Sequence, residues 1–225
     1  MPSTLQRITN KISTLLRLAG VRDYGDRNRV LSASATLKNC RIQFFGNDNL
    51  ITLEPGASAA NLEITILGSR NKIHFGANAI FMNGTMWCAA DDGGISIGEK
   101  TTITEAKMTL TESNMSITIG RDCLLAWGID LRCGDGHPII DRSTGIVINP
   151  AKPITIADHV WIAAHVQVLK GVGIGENSVI GAHSVVTNNI PAHCIAAGVP
   201  ARVVRENITW SRNALESGEP QTTQR

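Results

Sequence analysis

The sequence predicts an all-β fold in which short strands wind into stacked coils, a solenoid. Aliphatic residues recur every six positions in the C-terminal half, at Ile156, Ile162, Val168, Ile174, Ile180 and Val186. The residues that follow them are mostly small or polar, as in Ala157-Asp158 and Gly175-Glu176. A six-residue period matches neither a helix nor an ordinary strand. Each unit therefore predicts a short strand and a tight corner, and a fixed repeat of this kind is typical of a solenoid.

The six-residue spacing extends upstream, where two breaks interrupt it. It is kept by Ile97 and Ile103, and again by Ile119, Leu125 and Leu131. The first break lies between Ile103 and Ile119, and the second between Leu131 and Ile156. Insertions in a solenoid emerge as loops, and such loops often carry function. We therefore expect an inserted loop near residues 133–152 and look there first for chemistry.

The two ends of the chain differ from the repeat, so we divide the chain into three segments. Residues 1–24 include an amphipathic helix from Thr4 to Ala19, with apolar residues at helical spacing. We expect it to cap the first coil or to pack on a partner subunit; peripheral contact with a membrane surface is the alternative. Residues 25–206 form the solenoid domain, and residues 207–225 form a polar tail.

Composition excludes several classes of protein. The net charge is +2 and aromatic residues make up 4%, which does not suit a nucleic-acid-binding surface. We find no apolar run of transmembrane length and no signal-peptide core. Five cysteines without CxxC spacing suit reduced thiols, so we expect a cytoplasmic protein. Cys133 lies beside the second break; a packed thiol is the preferred interpretation and a nucleophile is the alternative.

Three stretches carry a family resemblance: residues 152–163 (KPITIADHVWIA), 171–182 (GVGIGENSVIGA) and 197–205 (AGVPARVVR). The sequence from about residue 95 to 206 resembles the hexapeptide-repeat acyltransferases, in the branch of galactoside, maltose and capsule or lipopolysaccharide O-acetyltransferases. The resemblance implies a left-handed parallel β-helix with three strands per coil, and a homotrimer with active sites between subunits. It also implies acetyl transfer from acetyl-CoA to a hydroxyl of a bacterial surface carbohydrate, by direct transfer.

His137, in the stretch Gly-Asp-Gly-His-Pro of the second break, is the candidate catalytic base. A neutral imidazole near pH 7 can take the proton of a sugar hydroxyl. From the residues alone, a loop histidine before proline is more often a solvated surface residue, but the family's catalytic histidine stands at this position. Asp135 either orients the imidazole or binds the acceptor, and a simple turn aspartate is the other interpretation. Asp130 is an alternative for the same role.

The resemblance also indicates where the acyl donor lies. Trp161, which we place at a corner, corresponds to a family residue beside the pantetheine arm. Ala164 and Ala182 are eighteen residues apart, so they stack one coil above the other. Small side chains there let an extended arm approach the backbone.

Near the nucleotide end, the family positions correspond to Thr187, Arg202 and Arg205. The two arginines suit phosphate groups by charge-assisted hydrogen bonds. The chain departs from the family at Asn188, because a phosphate-binding lysine often follows the threonine. Lys170 or the two arginines are the candidates to replace it.

Three residues are candidates for binding the acceptor. Galactoside acetyltransferases carry an asparagine where this chain has Lys107, which argues against a simple galactoside. Arg142 in the inserted loop suits an anionic sugar, although a solvated loop arginine is the simpler interpretation. Trp127 could offer a flat face to a carbohydrate, but structural packing is the preferred interpretation.

Rival functions remain open at this stage. A γ-class carbonic anhydrase would use His159, His165 and His183 as zinc ligands, but we see no fuller motif of that family and expect no metal. An N-acetyltransferase acting on an amino sugar nucleotide is the second candidate within the class. A non-catalytic β-helix scaffold is the third.

Overall fold

A computed structural model of the protein describes residues 20–32 and 34–213, and their regular secondary structure is entirely β-strand. The predicted helix at Thr4–Ala19 lies outside the described residues. Val21–Asp23, which we assigned to the N-terminal segment, form the first strand instead, so the solenoid begins before residue 25. The described residues contain no helix with the length and apolarity needed to cross a membrane.

The strands are β1 (Val21–Asp23), β2 (Arg29–Ser32), β3 (Thr36–Lys38), β4 (Arg41–Phe44), β5 (Leu50–Leu53), β6 (Ser58–Ala60), β7 (Leu62–Ile66), β8 (Lys72–Phe75), β9 (Ile80–Phe81), β10 (Gly84–Cys88), β11 (Gly94–Ile97), β12 (Thr102–Ile103), β13 (Ala106–Leu110), β14 (Ser116–Ile119), β15 (Leu124–Leu125), β16 (Ile129–Arg132), β17 (Ile154–Ile156), β18 (Trp161–Ile162), β19 (Gln167–Val168), β20 (Gly173–Ile174), β21 (Val179–Ile180), β22 (Val185–Val186), β23 (Ile195–Gly198) and β24 (Ala201–Arg205).

Up to β22, every third strand belongs to the same parallel sheet, which gives the molecule three faces. Sheet A runs from β1 through β4, β7, β10, β13, β16 and β19 to β22. Sheet B runs from β2 to β20 in the same manner, and sheet C from β3 to β21. Strand β23 extends sheet C in parallel, and β24 closes its edge in the antiparallel sense. This arrangement confirms the predicted parallel β-helix.

The six-residue repeat positions form the core. All six aliphatic residues from Ile156 to Val186 are at most 2% exposed. In this half of the chain Ile156 pairs with Ile174, so one coil takes eighteen residues. In the N-terminal half Ile51 pairs with Ile73, so one coil takes twenty-two. The hydrophobic positions of both halves therefore line up in columns along one continuous core.

The first break is not an insertion, which corrects the interpretation from the sequence. Ile97 pairs with Ile119, so the interval that contains the break is one ordinary coil of twenty-two residues. The additional length lies on sheet A, where β13 and its neighbours β7 and β10 have five residues each. Sequence spacing showed the change of period without showing that it recurs in each coil.

Residues in the left-handed backbone region form the corners. Along the corner between sheets B and C these include Asn78, Lys100, Asp122, His159, Asn177 and His193, with φ of 53–59°. Asparagine, aspartate and histidine tolerate this conformation better than most residues with a Cβ. The histidines that we considered as zinc ligands are therefore corner residues.

Those histidines do not converge. His165 and His183 stack at 4.8 Å on the corner between sheets C and A, whereas His159 lies at the corner between sheets B and C. No group of three or more metal-ligating side chains is assembled within residues 20–32 and 34–213.

The second break is a true insertion. Ile119 pairs with Ile156 across thirty-seven residues, about two coils, although the two strands are adjacent in sheet B. The loop leaves β16 of sheet A and returns at β17 of sheet B, and a bridge between Ile140 and Val147 closes its outer part as a hairpin. In the structure the inserted segment lies between the end of β16 at Arg132 and the start of β17 at Ile154.

The end of the described chain folds back on the solenoid. Residues 206–213 follow β24 and lie along the corner between sheets B and C, where Arg212 donates to Asp122 Oδ1 at 2.6 Å. This part of the predicted polar tail is therefore bound to the domain, while residues 214–225 lie outside the described residues.

Stacking of the coils predicts a local limit on side-chain size. A Cβ added at Gly98 would lie 2.4 Å from the carbonyl carbon and oxygen of Gly120 in the next coil. We expect Gly98→Ala to lower the free energy of unfolding by about 1–3 kcal/mol, measured by chemical denaturation. Gly94→Ala is the matched control at the start of β11, the strand that Gly98 follows, because its added Cβ would meet nothing closer than the Lys72 carbonyl oxygen at 3.8 Å. Equal stability of the two variants would contradict this packing argument.

Candidate active site

His137 lies at the mouth of a cavity between the inserted loop and the end of β13. The cavity has a volume of about 330 Å³, and its lining residues are Thr111, Glu112, Gly136, His137, Pro138, Val147, Asn149 and Pro150. His137 itself is exposed. A solvent-accessible imidazole beside a cavity can meet the hydroxyl of an incoming molecule and exchange a proton with it.

Asn149 fixes the backbone around His137. Its side-chain amide donates to the His137 carbonyl oxygen at 2.9 Å and to Asp135 Oδ2 at 2.8 Å. Its side-chain oxygen accepts from the Ile139 backbone N–H at 2.5 Å. One side chain thus ties the outgoing and returning parts of the loop together. Sequence analysis did not single out Asn149.

Asp135 is held by Lys170 from the neighbouring coil. The Lys170 ammonium contacts Asp135 Oδ2 and donates to the Asn149 carbonyl oxygen at 2.7 Å. The hydrogen bond from Lys170, followed by that from Asn149, lowers the pKa of the Asp135 carboxyl below its usual value. Neither hydrogen bond involves the His137 ring. In this structure Asp135 anchors the loop, whereas the sequence led us to expect a residue that orients the imidazole or binds the acceptor.

Lys170 was a candidate to replace the phosphate-binding lysine that this chain lacks at Asn188, but its ammonium forms the ion pair with Asp135 instead. The Lys170 side chain is only 19% exposed and is committed to Asp135 and to the loop backbone. Asp130, the alternative to Asp135, pairs with the Arg132 guanidinium on the outer face of sheet A. The two aspartates are therefore engaged with different basic residues.

Two further polar residues face the cavity and were missed by sequence analysis. The Thr111 hydroxyl is buried without a hydrogen-bond partner in the described part of the chain. Glu112 accepts from the Ala151 backbone N–H at 3.3 Å through Oε2. Both follow β13 in the coil that precedes the loop, and only the stacking of coils brings them beside His137.

Cys133 is a packed thiol in this structure. It is fully buried, and its Sγ donates to the Ser116 carbonyl oxygen at 3.2 Å. Burial raises the pKa of the Cys133 thiol to about 11, which suppresses the reactive thiolate. The geometry favours the packed interpretation over a nucleophile.

The candidate donor-binding residues lie away from the loop. Trp161 begins β18 on the outer face of sheet C, rather than at a corner as predicted, and is 38% exposed. Ala164 and Ala182 lie at the corner between sheets C and A. The His183 backbone N–H donates to the Ala164 carbonyl oxygen at 2.9 Å, which agrees with the predicted stacking one coil apart. Sheet A separates this corner from the loop.

The remaining donor candidates occupy the last coil and the closing strand. Thr187 follows β22 and accepts from the Asn188 side chain at 3.0 Å. Arg202 and Arg205 are exposed on β24, where Arg205 pairs with Ile195. The two arginines therefore lie on the same short strand.

The three acceptor candidates lie on different parts of the surface. Lys107 is exposed on sheet A, beside Asp130 in the register of β13 and β16. Trp127 is 55% exposed at the turn between β15 and β16. Arg142 is exposed at the hairpin turn of the inserted loop. Within one chain, these three side chains do not form a common binding site.

Comparison with known proteins links this architecture to acetyltransferases. A family model described as bacterial transferase hexapeptide (six repeats) matches residues 153–188. The polysialic acid O-acetyltransferase of Neisseria meningitidis is 32% identical over 194 residues, which cover 76% of this chain and 90% of that protein. The crystal structure of the polySia specific acetyltransferase NeuO superposes with a TM-score of 0.83 at 34% identity, covering 91% of this chain and 93% of the other.

A further relative matches over a shorter region. The polysialic acid O-acetyltransferase of Escherichia coli O1:K1 / APEC is 37% identical over 118 residues, which cover 52% of this chain. The chain spans 38% of the length of that relative.

The buried state of Cys133 predicts low thiol reactivity. A rise in pKa from 9.0 to about 11 leaves about 100-fold less thiolate at neutral pH, and burial also blocks access. We expect the native protein to react slowly with a thiol-specific dye and all five cysteines to react after denaturation. Mass spectrometry of the labelled protein identifies the sites. Rapid labelling of Cys133 in the native protein would contradict the packed interpretation.

The ion pair in the loop predicts a pH dependence. Because the pKa of Asp135 is lowered in the folded protein, the pair stabilises the loop above the ordinary aspartate pKa. That contribution is lost as the pH falls through the lowered value. We expect Lys170→Met to move the Asp135 pKa upward, as followed by NMR titration of the carboxyl carbon. Lys152→Met, a change at an exposed lysine of the same loop, is the control, and we expect it to leave the Asp135 pKa unchanged. An unchanged Asp135 pKa in Lys170→Met would refute the pairing.

Proposed function

We propose that this chain, which belongs to the hexapeptide-repeat acetyltransferase family, moves acetyl from acetyl-CoA to a hydroxyl of a bacterial surface carbohydrate. The acceptor would be a capsule, a lipopolysaccharide or an exopolysaccharide. Two relatives named as polysialic acid O-acetyltransferases support a carbohydrate polymer as the acceptor. The observation that carries the proposal is the exposed imidazole of His137, set at a cavity by a loop that Asn149 and Lys170 tie down.

The chemistry follows from the imidazole. A ring nitrogen of His137 takes the proton of the acceptor hydroxyl as its oxygen attacks the thioester carbonyl carbon. The tetrahedral oxyanion collapses, the carbon–sulfur bond breaks, and the departing CoA sulfur receives the proton held by the ring. The products are an acetyl ester and free CoA. This direct transfer needs no acyl-enzyme, in keeping with the buried state of Cys133.

In this mechanism Asp135, Asn149 and Lys170 are positioning residues. The hydrogen bond from Asn149 reaches the carbonyl oxygen of His137, so it restrains the backbone that carries the imidazole. The ion pair between Asp135 and Lys170 joins that loop to the coil of β19. Because the imidazole is already held in place, less entropy is lost when it meets the acceptor hydroxyl and the thioester.

A homotrimer of left-handed coils accounts for the distance between the candidate groups. His137 belongs to the corner between sheets A and B, whereas Trp161 lies on sheet C, so a second copy of the chain would complete the site. The hairpin beside His137 also carries Ile139, Ile146 and Ile148, each 55–62% exposed, which suits coverage by a neighbour. A threefold ring is a closed arrangement of such heterologous contacts.

We place the reaction in the cytoplasm, where five free thiols stay reduced.

N-acetylation of an amino sugar nucleotide remains the alternative within the class, because the same base would serve an amine acceptor. A non-catalytic scaffold would keep the stack of coils without any need for the restrained loop around His137. Measuring thioester consumption with a panel of hydroxyl and amine acceptors separates the three functions.

The proposal predicts the effect of removing the base. We expect His137→Ala to lower kcat/KM for acetyl transfer by about 10²–10⁴-fold, the range that general bases contribute. His74→Ala is the matched control. His74 lies on sheet B, pairs with Glu54, and is not among the residues that line the cavity beside His137. Release of CoA with saturating acceptor is the measurement. Turnover in His137→Ala equal to that of the control would exclude His137 as the base.

A further inference from the structure

Residues 206–213, here named the C-terminal strap, lie along the corner between sheets B and C. The strap runs against the direction of the stack and contacts the left-handed corner residues of successive coils. The Ile208 backbone N–H donates to the His193 carbonyl oxygen at 3.0 Å, and the Thr209 hydroxyl donates to Asn177 Oδ1 at 3.2 Å. The next contact down the stack is made by Trp210.

Trp210 is locked to His159 by two hydrogen bonds and a stacked ring pair. The indole N–H donates to the His159 carbonyl oxygen at 2.7 Å, and His159 Nε2 lies 3.0 Å from the Trp210 carbonyl oxygen. The two rings stack at 4.2 Å with an angle of 10° between their planes. His159 Nδ1 is in turn 2.8 Å from Asp122 Oδ2. The indole is therefore fixed in both position and orientation.

Arg212 secures the far end of the strap. Its guanidinium donates to Asp122 Oδ1 at 2.6 Å, to the Cys123 carbonyl oxygen at 2.6 Å and to the Lys100 carbonyl oxygen at 3.2 Å. It also lies 5.9 Å from the centre of the Trp210 ring, within the range of a cation–π contact. Bonds to two different coils below hold Trp210 against the surface of sheet C.

The fixed indole meets Trp161. The ring centres of Trp161 and Trp210 are 6.1 Å apart, with their planes inclined at 48°. Trp161 projects from the outer face of β18 and remains 38% exposed. Trp210 supplies an aromatic neighbour to this partly exposed indole on the side of the strap.

We propose that Trp210 is a positioning residue for acyl-donor binding, acting through Trp161. This inference rests on the proposed function and on the family resemblance, which implies that Trp161 lies beside the pantetheine arm of acetyl-CoA. The hydrogen bonds of the strap to His159 and Asp122 fix Trp210, and Trp210 in turn sets the orientation of the Trp161 indole. Loss of Trp210 weakens binding of the donor and leaves the proton transfer at His137 unchanged.

The test is binding of CoA to the full-length protein by isothermal titration calorimetry, with steady-state kinetics on the same preparations. We expect Trp210→Ala to raise the Kd for CoA and the KM for acetyl-CoA about tenfold, a loss in keeping with removal of one aromatic contact. We expect kcat at saturating acetyl-CoA to stay within about twofold of wild type. Trp210→Phe retains a ring beside Trp161 and serves where Trp210→Ala does not fold; we expect about a threefold rise.

Thr209→Ala is the matched control, because it removes a strap hydrogen bond to Asn177 without touching either tryptophan. We expect its Kd to equal that of wild type. If wild type binds CoA and both Trp210 variants bind it equally well, the inference is overturned and the proposed function stands. If wild type does not bind CoA, the proposed function is overturned and the inference falls with it. An equal rise in Kd in Thr209→Ala would show that the strap acts only as a structural clamp, and would also overturn the inference.

Discussion

The register between each strand and its counterpart one coil later is the constraint on which the structure depends. Because pairing is parallel and regular, each position of a coil forms a column with its counterparts above and below. Ile156 over Ile174 and Ile162 over Ile180 fill the interior with one type of side chain. At the corners the same register stacks residues in the left-handed conformation, and on the outer faces it sets polar side chains side by side. A site on this scaffold is therefore built from residues at equivalent positions of successive coils.

The candidate active site arises where one column is interrupted. The inserted loop between β16 and β17 leaves the stack, so its backbone has lost the neighbours that order the coils. The ion pair of Asp135 with Lys170 and the hydrogen bonds of Asn149 replace those neighbours. A loop restrained in this way can present His137 to solvent in a defined place. The C-terminal strap uses the opposite principle, since it follows an uninterrupted column of corner residues to bring Trp210 to Trp161.

Much of the fold and part of the site could be predicted from the sequence. The six-residue period located the buried positions from Ile156 to Val186, and its second break located the loop that carries His137. The period of twenty-two residues in the N-terminal half was missed, because its additional residues lie on one face and do not disturb the other two. The partners of His137 and Asp135 were also missed: Lys170 is thirty-five residues from Asp135, and only the stacking of coils brings them together. His159 was considered as a metal ligand because the sequence does not show that Trp210 of the strap covers it.

The most direct measurement of the central claim, acetyl transfer by His137 to a surface carbohydrate, is mass spectrometry of that carbohydrate. The comparison is between a strain lacking this protein and the same strain supplied with either wild type or His137→Ala. The predicted result is loss of the acetyl mass increment in the deletion, its return with wild type, and its continued absence with His137→Ala at equal protein level. An unchanged acetyl content in the deletion strain, or full restoration by His137→Ala, would contradict the claim.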